Sequence, residues 1–442
     1  NNANALYILG TADEAVVQYG EKSPTFRHIK GRLEMKGRDF NLIDMSGTFG
    51  GAPFTMAGSI KEYATEGLPS LYPFNMTIAP QPAEVAWLAA IAGAEALKFH
   101  GSATTLKLQG DGPTTAYRIS GEWLLQSAAY EYPDVVRKPA GMPNTLTFSS
   151  LIDKHATKFT SVSYQLPPLR LSGDGELRYS GQTPHLSFDL ESNRFQLSKQ
   201  LPLLPQWQEY QLHGGVRAHV LGSGDPRSLA SMQFSGSIGL NDFSFRPRPQ
   251  WAPVNDITTQ ISFKGNALET SSMAIRYGSS SLLLKGRVAS LENPVAELIV
   301  SSPDLNPADF GIAVHDKPPR IKQFSSQLAL RDKLLTIRNV SGMLPKTALS
   351  AAGTVNLTST PDINLRIAAS YLDLDELLPL LAPTRPATTG TPQADTSRPP
   401  RFKAHITAEN GSYRSLAFSK LSAPVKNNAG ALKLEGLQAQ AF

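Results

Sequence analysis

The chain has 442 residues, of which 41% are hydrophobic, 18% charged and 8% aromatic, with a formal net charge of +5 at pH 7. This composition excludes an intrinsically disordered chain, and a small net charge without a concentrated basic stripe argues against a nucleic-acid partner. Cysteine is absent, which excludes disulfides, cysteine nucleophiles and thiolate metal sites and fits an oxidising compartment such as the periplasm.

A short phrase, in which a small residue precedes a glycine, recurs along the chain. The spacing is 115 residues from Gly58 to Gly173 and 113 residues from Gly173 to Gly286. The phrase returns at Gly353, and a related phrase contains Gly121 and Gly236. Repetition of this kind predicts stacked units that share one continuous core and present a long surface for binding.

Strand patterns dominate the chain, because apolar and polar residues alternate in many short segments. Clear examples are residues 145–149, 186–190, 260–264, 327–331 and 363–367. Period two places their apolar members on one face. These members are Leu146, Phe148, Leu186, Phe188, Leu190, Ile261, Phe263, Leu328, Leu330, Leu365 and Ile367. Gly265-Asn266 and Asp332-Lys333 are predicted turns, which favours an antiparallel meander.

A short helix-like segment closes each predicted unit, and the capping residues favour helices there. These segments are residues 80–92, 193–204, 302–312 and 372–381. In the last one, Asp373, Asp375 and Glu376 are predicted to cap the helix instead of binding Ca²⁺, because the glycine and the distal glutamate of a calcium loop are missing.

The domain organisation follows from the repeats and from one change in composition. Residues 382–400 consist almost entirely of Ala, Pro, Thr, Gly and Ser with a few charges, which predicts a flexible linker or a disordered loop. We therefore expect β-groove repeats over residues 1–98, 99–205, 206–313 and 314–381, the linker over 382–400, and further strands over 401–442.

No run of eighteen apolar residues occurs, so the sequence predicts no helix that spans a bilayer. The chain begins with Asn-Asn-Ala, and residues 431–437 end within a strand pattern. We expect a fragment or a processed product, truncated in its first repeat and its tail, from which a signal or an anchor has been removed.

The recurring glycine phrase and the Pro/Asp-Leu segments at residues 302–305 and 372–377 resemble the AsmA-like family of Gram-negative envelope proteins. The resemblance covers residues 26–381. It implies a mostly β fold in which a long curved antiparallel sheet of repeated units forms a U-shaped hydrophobic groove, with short helices at the repeat ends. It also implies a periplasmic protein that an amino-terminal helix, absent from this chain, tethers to the inner membrane.

The function that this resemblance implies is non-enzymatic transport of glycerophospholipid between the inner and outer membranes, which supports outer-membrane integrity. The partners are then phospholipids, the two membranes and envelope proteins at the groove ends, and the apolar strand residues given above are the candidate lipid contacts. We expect no cofactor, no metal and no enzymatic activity, because the sequence groups no nucleophile with a base and an orienting residue.

Two alternatives remain open from the residues alone. The apolar stripes could form the closed core of a β-sandwich or barrel, which would leave no groove. The chain could also be a structural scaffold that aids outer-membrane protein assembly by pairing through a strand edge. A polysaccharide hydrolase would need a clustered pair of carboxylates, which the sequence does not show.

Overall fold

The chain folds as a mostly β protein, with 68% of it in strands and 8% in helices, which confirms the predicted fold class. The structure is a computed structural model. The chain consists of two compact units, Asn1–Ser237 and Ile238–Phe442. The predicted linker 382–400 lies outside the described residues. The structure describes residues 6–441 except 19, 22, 64, 92, 102–103, 134, 180–182, 229–230, 247–252, 291–294, 311–318, 358–361, 382–400, 429–430 and 435.

Unit 1 is an antiparallel meander with one inserted α-helix. Its elements are β1 (Tyr7–Val17), β2 (Phe26–Lys36), β3 (Asp39–Phe49), β4 (Ala52–Ile60), β5 (Phe74–Ile78), α1 (Pro82–Ile91), β6 (Lys98–His100), β7 (Thr105–Asp111), β8 (Tyr117–Leu124), β9 (Ala129–Tyr132), β10 (Val136–Lys138), β11 (Thr145–Ile152), β12 (Ala156–Leu166), β13 (Leu169–Arg178), β14 (His185–Ser192), β15 (Phe195–Gln196) and β16 (His213–Gly224). Three-ten helices cover Leu197–Lys199, Leu201–Leu203 and Pro205–Tyr210, and β17 (Gln233–Phe245) spans the chain boundary between the units.

The main sheet of unit 1 follows the chain order. Strands β1 to β5 pair in sequence, β5 pairs with β7, β7 with β8, and β8 with β11. Strands β11 to β14 continue the sheet, and β16 pairs with β14 and β15. Strands β6, β9 and β10 form a separate small sheet with β9 in the middle.

Unit 2 is a second meander, and one strand pairing among its described residues is parallel. Its elements are β18 (Val254–Lys264), β19 (Ala267–Tyr277), β20 (Ser280–Ser290), β21 (Val295–Leu305), a three-ten helix Pro307–Phe310, β22 (Ile321–Arg331), β23 (Leu334–Met343), β24 (Ala348–Asn356), β25 (Asp362–Asp373), α2 (Leu374–Leu381), β26 (Arg401–Tyr413), β27 (Leu416–Asn428), β28 (Ala431–Leu434) and β29 (Gln438–Ala441). Strands β18 to β25 are antiparallel neighbours in chain order.

The pairing of β25 with β26 is parallel, so the sheet of unit 2 is mixed and not purely antiparallel as the sequence predicts. Strand β27 then pairs antiparallel with β26 and carries β28 and β29 on its other edge. The predicted turns at Gly265-Asn266 and Asp332-Lys333 join β18 to β19 and β22 to β23. Among the described residues, neither sheet closes into a barrel.

Each main sheet has one apolar face and one polar face. Residues directly opposite each other on neighbouring strands share a face, so the strand registers assign the faces. Met56 lies beside Met76, Met76 beside Leu108, and Phe148 beside Val162 on the apolar face of unit 1. The other face carries polar side chains, among them Thr77, Lys107, Glu122 and Thr147. An antiparallel sheet tolerates water on such a polar face.

The glycines of the recurring phrase lie opposite large apolar residues of the next strand. Gly58 faces Phe74, and Gly121 faces Phe148. A Cβ atom added to Gly121 would approach the Phe148 ring to 2.5 Å, which leaves no space for any side chain there. The glycine thus makes room for the neighbouring ring, and the ring offsets the weak strand preference of glycine. The same pairing joins Gly173 to Leu190, Gly286 to Leu298 and Gly353 to Leu365.

Two of the predicted helix-like segments contain an α-helix. Residues 80–92 contain α1, and residues 372–381 contain the end of β25 followed by α2. The other two segments differ from the prediction. Residues 193–204 form β15 and three-ten turns, because Pro202 interrupts the segment. Residues 302–305 extend β21, where Ser302 and Leu305 pair with β22, and the three-ten turn Pro307–Phe310 follows; residues 311–312 lie outside the described part of the chain.

Each of these segments fastens the hairpin turn that lies two strands earlier in the chain. Glu84 of α1 accepts a hydrogen bond of 2.8 Å from the backbone N–H of Gly51, and Asp309 accepts one of 2.9 Å from Ser279. The equivalent bonds run from the N–H of Arg170 to Asn193 at 2.8 Å and from the N–H of Lys346 to Glu376 at 3.1 Å. We call these four contacts the latches, and each closes within one of the repeats predicted from the sequence.

Candidate functional site: apolar sheet faces and a roofed cleft

Apolar side chains of unit 1 form rows that cross its strands, because cross-strand neighbours stand side by side about 4.8 Å apart. One row contains Ile78, Leu106, Trp123, Leu146, Tyr164 and Leu171. The next row contains Met56, Met76, Leu108, Gly121, Phe148, Val162, Gly173, Leu190 and Val220. The apolar surface is therefore continuous from strand to strand within the unit.

Unit 2 carries rows of the same kind. One row contains Phe263, Leu268, Val288, Ala296, Leu330, Leu335, Val355, Ile363 and Phe402. Another contains Leu298, Leu328, Ile337, Gly353, Leu365, Ala404 and Val425. A third contains Leu284, Val300, Ser326, Val340, Ala351, Ile367 and Ile406. The regular register keeps each row unbroken across the parallel pairing.

Most side chains of these rows are half-buried. Leu146 and Phe148 in unit 1 and Leu328 and Leu330 in unit 2 all keep part of their surface accessible. Within each unit, the main contacts of a strand are with its neighbours in the sheet and with the short helices. In a β-sandwich, a second sheet packed about 10 Å away would bury such residues. The apolar faces therefore leave hydrocarbon-like surface in contact with solvent, which costs free energy in proportion to its area.

The strand registers place the sequence-predicted lipid contacts, Ile261 apart, on these apolar faces. The structure brings Phe148 and Leu190 into one row of unit 1, together with Leu146 and Phe188 in adjacent rows and Leu186 beside Leu177. In unit 2 it brings Leu328 and Leu365 into one row and Phe263 and Leu330 into another.

Two of the predicted residues have a special position. Ile261 lies where the register between β18 and β19 shifts, so it has no cross-strand partner in the pairing. Ile367 is only 8% exposed, because it belongs to a cluster that includes Leu377 of α2. The other predicted residues are half-buried.

A small lobe covers part of the apolar face of unit 1. We use this name for α1, the small sheet of β6, β9 and β10, and the three-ten helices Leu197–Lys199 and Leu201–Leu203. In α1, Pro82 occupies the start, where proline favours a helix, and Glu84 accepts a hydrogen bond of 3.0 Å from the N–H of Gln81. The buried residues Val85, Phe99, Leu125 and Ala128 pack the lobe against Trp123 and Leu146 of the main sheet.

A cleft of about 890 Å³ lies between the lobe and the main sheet. The sheet contributes Trp123, Leu146, Tyr164, Leu166, Leu169 and Leu171 to its wall. The lobe contributes Val85, Leu88, Ala89, Phe99, Tyr130, Tyr132, Val135, Val136, Leu197, Gln200 and Leu203. Leu88 and Val135 are 40% and 51% exposed, so they mark the mouth of the cleft. The volume falls within the range of roughly 300–1,000 Å³ that is typical of small-molecule sites.

Three polar side chains of the cleft wall, Tyr130, Tyr164 and Gln200, are engaged within the protein. The hydroxyl groups of Tyr130 and Tyr164 hydrogen-bond to each other, and Gln200 donates a hydrogen bond of 3.0 Å to the carbonyl of Leu166. Burial raises the pKa of both tyrosines, which keeps their hydroxyls neutral. The indole nitrogen of Trp123 has no partner among the described residues, but it is shielded from solvent and thus from the cleft.

Lys138 fixes the loop that carries the lobe strands β9 and β10. Its side chain is 1% exposed, and its Nζ atom donates to the carbonyls of Leu125, Ala128 and Pro139 at 3.1, 2.6 and 3.0 Å. The ammonium also lies 5.7 Å from the centre of the Tyr130 ring, a cation–π contact. Burial lowers the pKa of Lys138. These acceptors already satisfy the ammonium, so it cannot serve as an anion-binding group for the cleft.

Of the residues that line this cleft, Leu146 alone is among the lipid contacts predicted from the sequence. The sheet side adds residues of 123–125 and 164–171, and the lobe side adds residues from three parts of the chain that are far apart, 82–99, 129–138 and 195–204. A signal for the lobe did exist in the sequence, because Tyr130, Tyr132, Val136 and Lys138 alternate with polar neighbours on both sides of the connection between β9 and β10. Its position over the main sheet depends on contacts that no local pattern reveals.

No helix among the described residues is long and apolar enough to cross a membrane. Comparisons of the chain with protein families, with curated proteins and with solved structures find no match.

Proposed function

We propose that this chain binds the hydrocarbon of phospholipids on its apolar sheet faces and carries lipid, without catalysis, between the two membranes of a Gram-negative envelope. One observation carries the proposal. Rows of Leu, Ile, Val and Phe cross the strands of each unit and stay half-buried. The pattern resemblance to AsmA-like proteins adds the periplasm, the tether to the inner membrane and the support of outer-membrane integrity.

The physical basis is the cost of moving acyl chains through water. Each methylene group kept out of water is worth about 0.8 kcal/mol, so two acyl chains of ordinary length represent roughly 20 kcal/mol or more. A surface of aliphatic side chains that replaces the bilayer interior removes most of that cost. Weak contacts at many positions suffice, because a tight site would slow the movement of lipid.

The direct test is to purify the chain without detergent and to analyse extracted lipid by mass spectrometry. We expect co-purified phospholipid and faster transfer of labelled phospholipid between donor and acceptor vesicles. A matched control is the chain denatured and refolded without lipid, which should bind phospholipid again from vesicles. A protein that stays free of lipid in both experiments would contradict the proposal.

One specific observation favours the second candidate function, a scaffold that pairs with other proteins through a strand edge. Strand β1 pairs only with β2 among the described residues, and its Tyr7, Ile8 and Leu9 are 59%, 51% and 61% exposed. A long apolar edge strand can accept a further strand from another chain. Photo-crosslinking from residue 8 in cells would support this second candidate if it captured outer-membrane proteins in place of lipid.

A further inference from the structure

The cleft under the lobe differs from the rest of the apolar face of unit 1, because it has a wall on two sides. Elsewhere a hydrocarbon chain would touch the sheet alone. In the cleft it would touch both Leu146 of the sheet and Phe99 or Val136 of the lobe. More apolar surface is therefore buried there for each methylene group than on an open face.

The chemistry of the wall restricts the ligand to hydrocarbon. None of the described residues that line the cleft carries a charge. Tyr130, Tyr164 and Gln200 use their polar groups inside the protein, so the hydroxyl of Tyr132 is the remaining polar group of the wall. Burying a charged head group without several hydrogen-bond partners costs far more than one hydroxyl can offset.

We propose that the cleft holds one hydrocarbon chain of a lipid, inserted tail-first past Leu88 and Val135, while the head group stays in solvent at the mouth. This inference deepens the proposed function and rests on it for the source of the chain. The cleft would then be a site of fixed length for a single hydrocarbon chain on an otherwise open face. The affinity of this site would not depend on the chemistry of the head group.

Chain length and head group test this inference without any variant. The probes are straight-chain alcohols and fatty acids from octyl to eicosyl, measured by isothermal titration calorimetry. We expect one molecule per chain, with affinity that rises about fourfold for each added methylene and then levels off when the cleft is full. The alcohol and the acid of one length should bind equally. A rise that never levels off, or a clear preference for the acid, would overturn the inference.

The place where the hydrocarbon probe binds is tested by fluorescence quenching and by two matched variants. Dibromostearic acid should quench the emission of Trp123, and the Trp123→Phe variant should lose that part of the quenching. Ala94 lines the cleft, whereas Ala218 lies on β16 outside it. Ala94→Phe should lower the affinity of hexadecanol by more than about tenfold, and Ala218→Phe should leave it unchanged. Equal losses in two folded variants would place the probe on the open face and overturn the inference.

The outcomes also separate this inference from the proposed function. If hexadecanol binds one to one and Ala94→Phe blocks it, but no phospholipid is carried, the cleft is supported and lipid transport fails. If phospholipid is transferred while the alcohols show no saturable site, transport is supported and the cleft fails.

Discussion

At the scale of single residues, the repeated glycines explain how large side chains fit on a single sheet. Phe188 lies between Gly175 and Gly222 of its two neighbouring strands. A Cβ atom at Gly222 would clash with the ring of Phe188, and one at Gly175 would clash with the backbone carbonyl oxygen of Ser187 beside it. The glycines therefore set the height of the apolar face above the sheet, which any bound chain would contact.

The change Gly121→Ala tests this role. The new methyl group would sit 2.5 Å from the Phe148 ring, so the ring must move, and we expect a loss of about 1–3 kcal/mol in the free energy of unfolding. Gly10→Ala is the matched control, because its nearest neighbour would be the Cβ atom of Leu33 at 3.9 Å. Urea unfolding of both variants measures the difference. Equal stability of the two variants would refute the steric account.

At the scale of elements, α2 shows how a helix is fastened to the sheet. Asp373 accepts a hydrogen bond of 3.0 Å from the N–H of Asp375 and one of 3.1 Å from Lys346 Nζ, and its own N–H donates to Thr347. Burial opposes ionisation of Asp373, but these donors outweigh it and hold the pKa of its carboxyl below the ordinary value. The capping role predicted from the sequence is thus visible for Asp373, whereas the carboxylates of Asp375 and Glu376 accept from the N–H groups of Arg414 and Lys346 outside the helix.

The lowered pKa of Asp373 predicts how the free energy of unfolding depends on pH. Because the folded-state pKa of Asp373 is lowered, its contribution is present above the unfolded value of about 3.9 and is lost as the pH falls through the folded value. Asp373→Asn should cost roughly 1 kcal/mol at neutral pH and flatten the acid side of the stability curve. Asp362→Asn, at the exposed start of the same strand, is the control. The test is to measure the urea midpoint of wild type and of each variant at several pH values between acid and neutral. Parallel plots of midpoint against pH for wild type and Asp373→Asn would contradict a stabilising role of the ionised Asp373.

The alternation of apolar and polar residues predicted correctly which residues share a strand face. It predicted poorly which strands pair and in which direction. Alternation placed Leu328 and Leu365 on one face, and the register then put them in one row. Alternation carries no information on whether a neighbour runs parallel, so the β25–β26 pairing could not be foreseen. Ser302 and Leu305 had helix-capping neighbours, yet pairing with β22 kept them in a strand. The position of the lobe over the sheet could not be predicted from local patterns, because its contacts join segments that are far apart in the chain.

At the scale of the whole chain, the proposed function predicts that a charge on either apolar face blocks lipid transfer. Phe188→Asp in unit 1 and Phe263→Asp in unit 2 each place a carboxylate among apolar neighbours. A charge beside bound hydrocarbon costs several kcal/mol when it is unpaired. We expect each variant to keep its circular dichroism spectrum and to lose most vesicle-to-vesicle transfer.

The controls add the same charge to the other face of the same strands. Ser187→Asp and Ser262→Asp lie next to the tested residues and point away from the apolar rows. These variants should transfer lipid as the wild type does. Loss of folded structure in the Phe variants would instead indicate a closed core, and loss of transfer in the Ser controls would show a general effect of charge.

The latches have a consequence for how a chain of this kind changes in length. Glu84 with Gly51 and Asp309 with Ser279 each join parts of a single predicted repeat, so neither bond depends on the predicted repeats before or after it. Copying or deleting one repeat would add or remove strands at about 4.8 Å each while every remaining bond of this type stayed intact. Under the proposed function, gene duplication alone could therefore adjust the length of the apolar surface to the distance that lipid must cross, and no new latch would have to evolve.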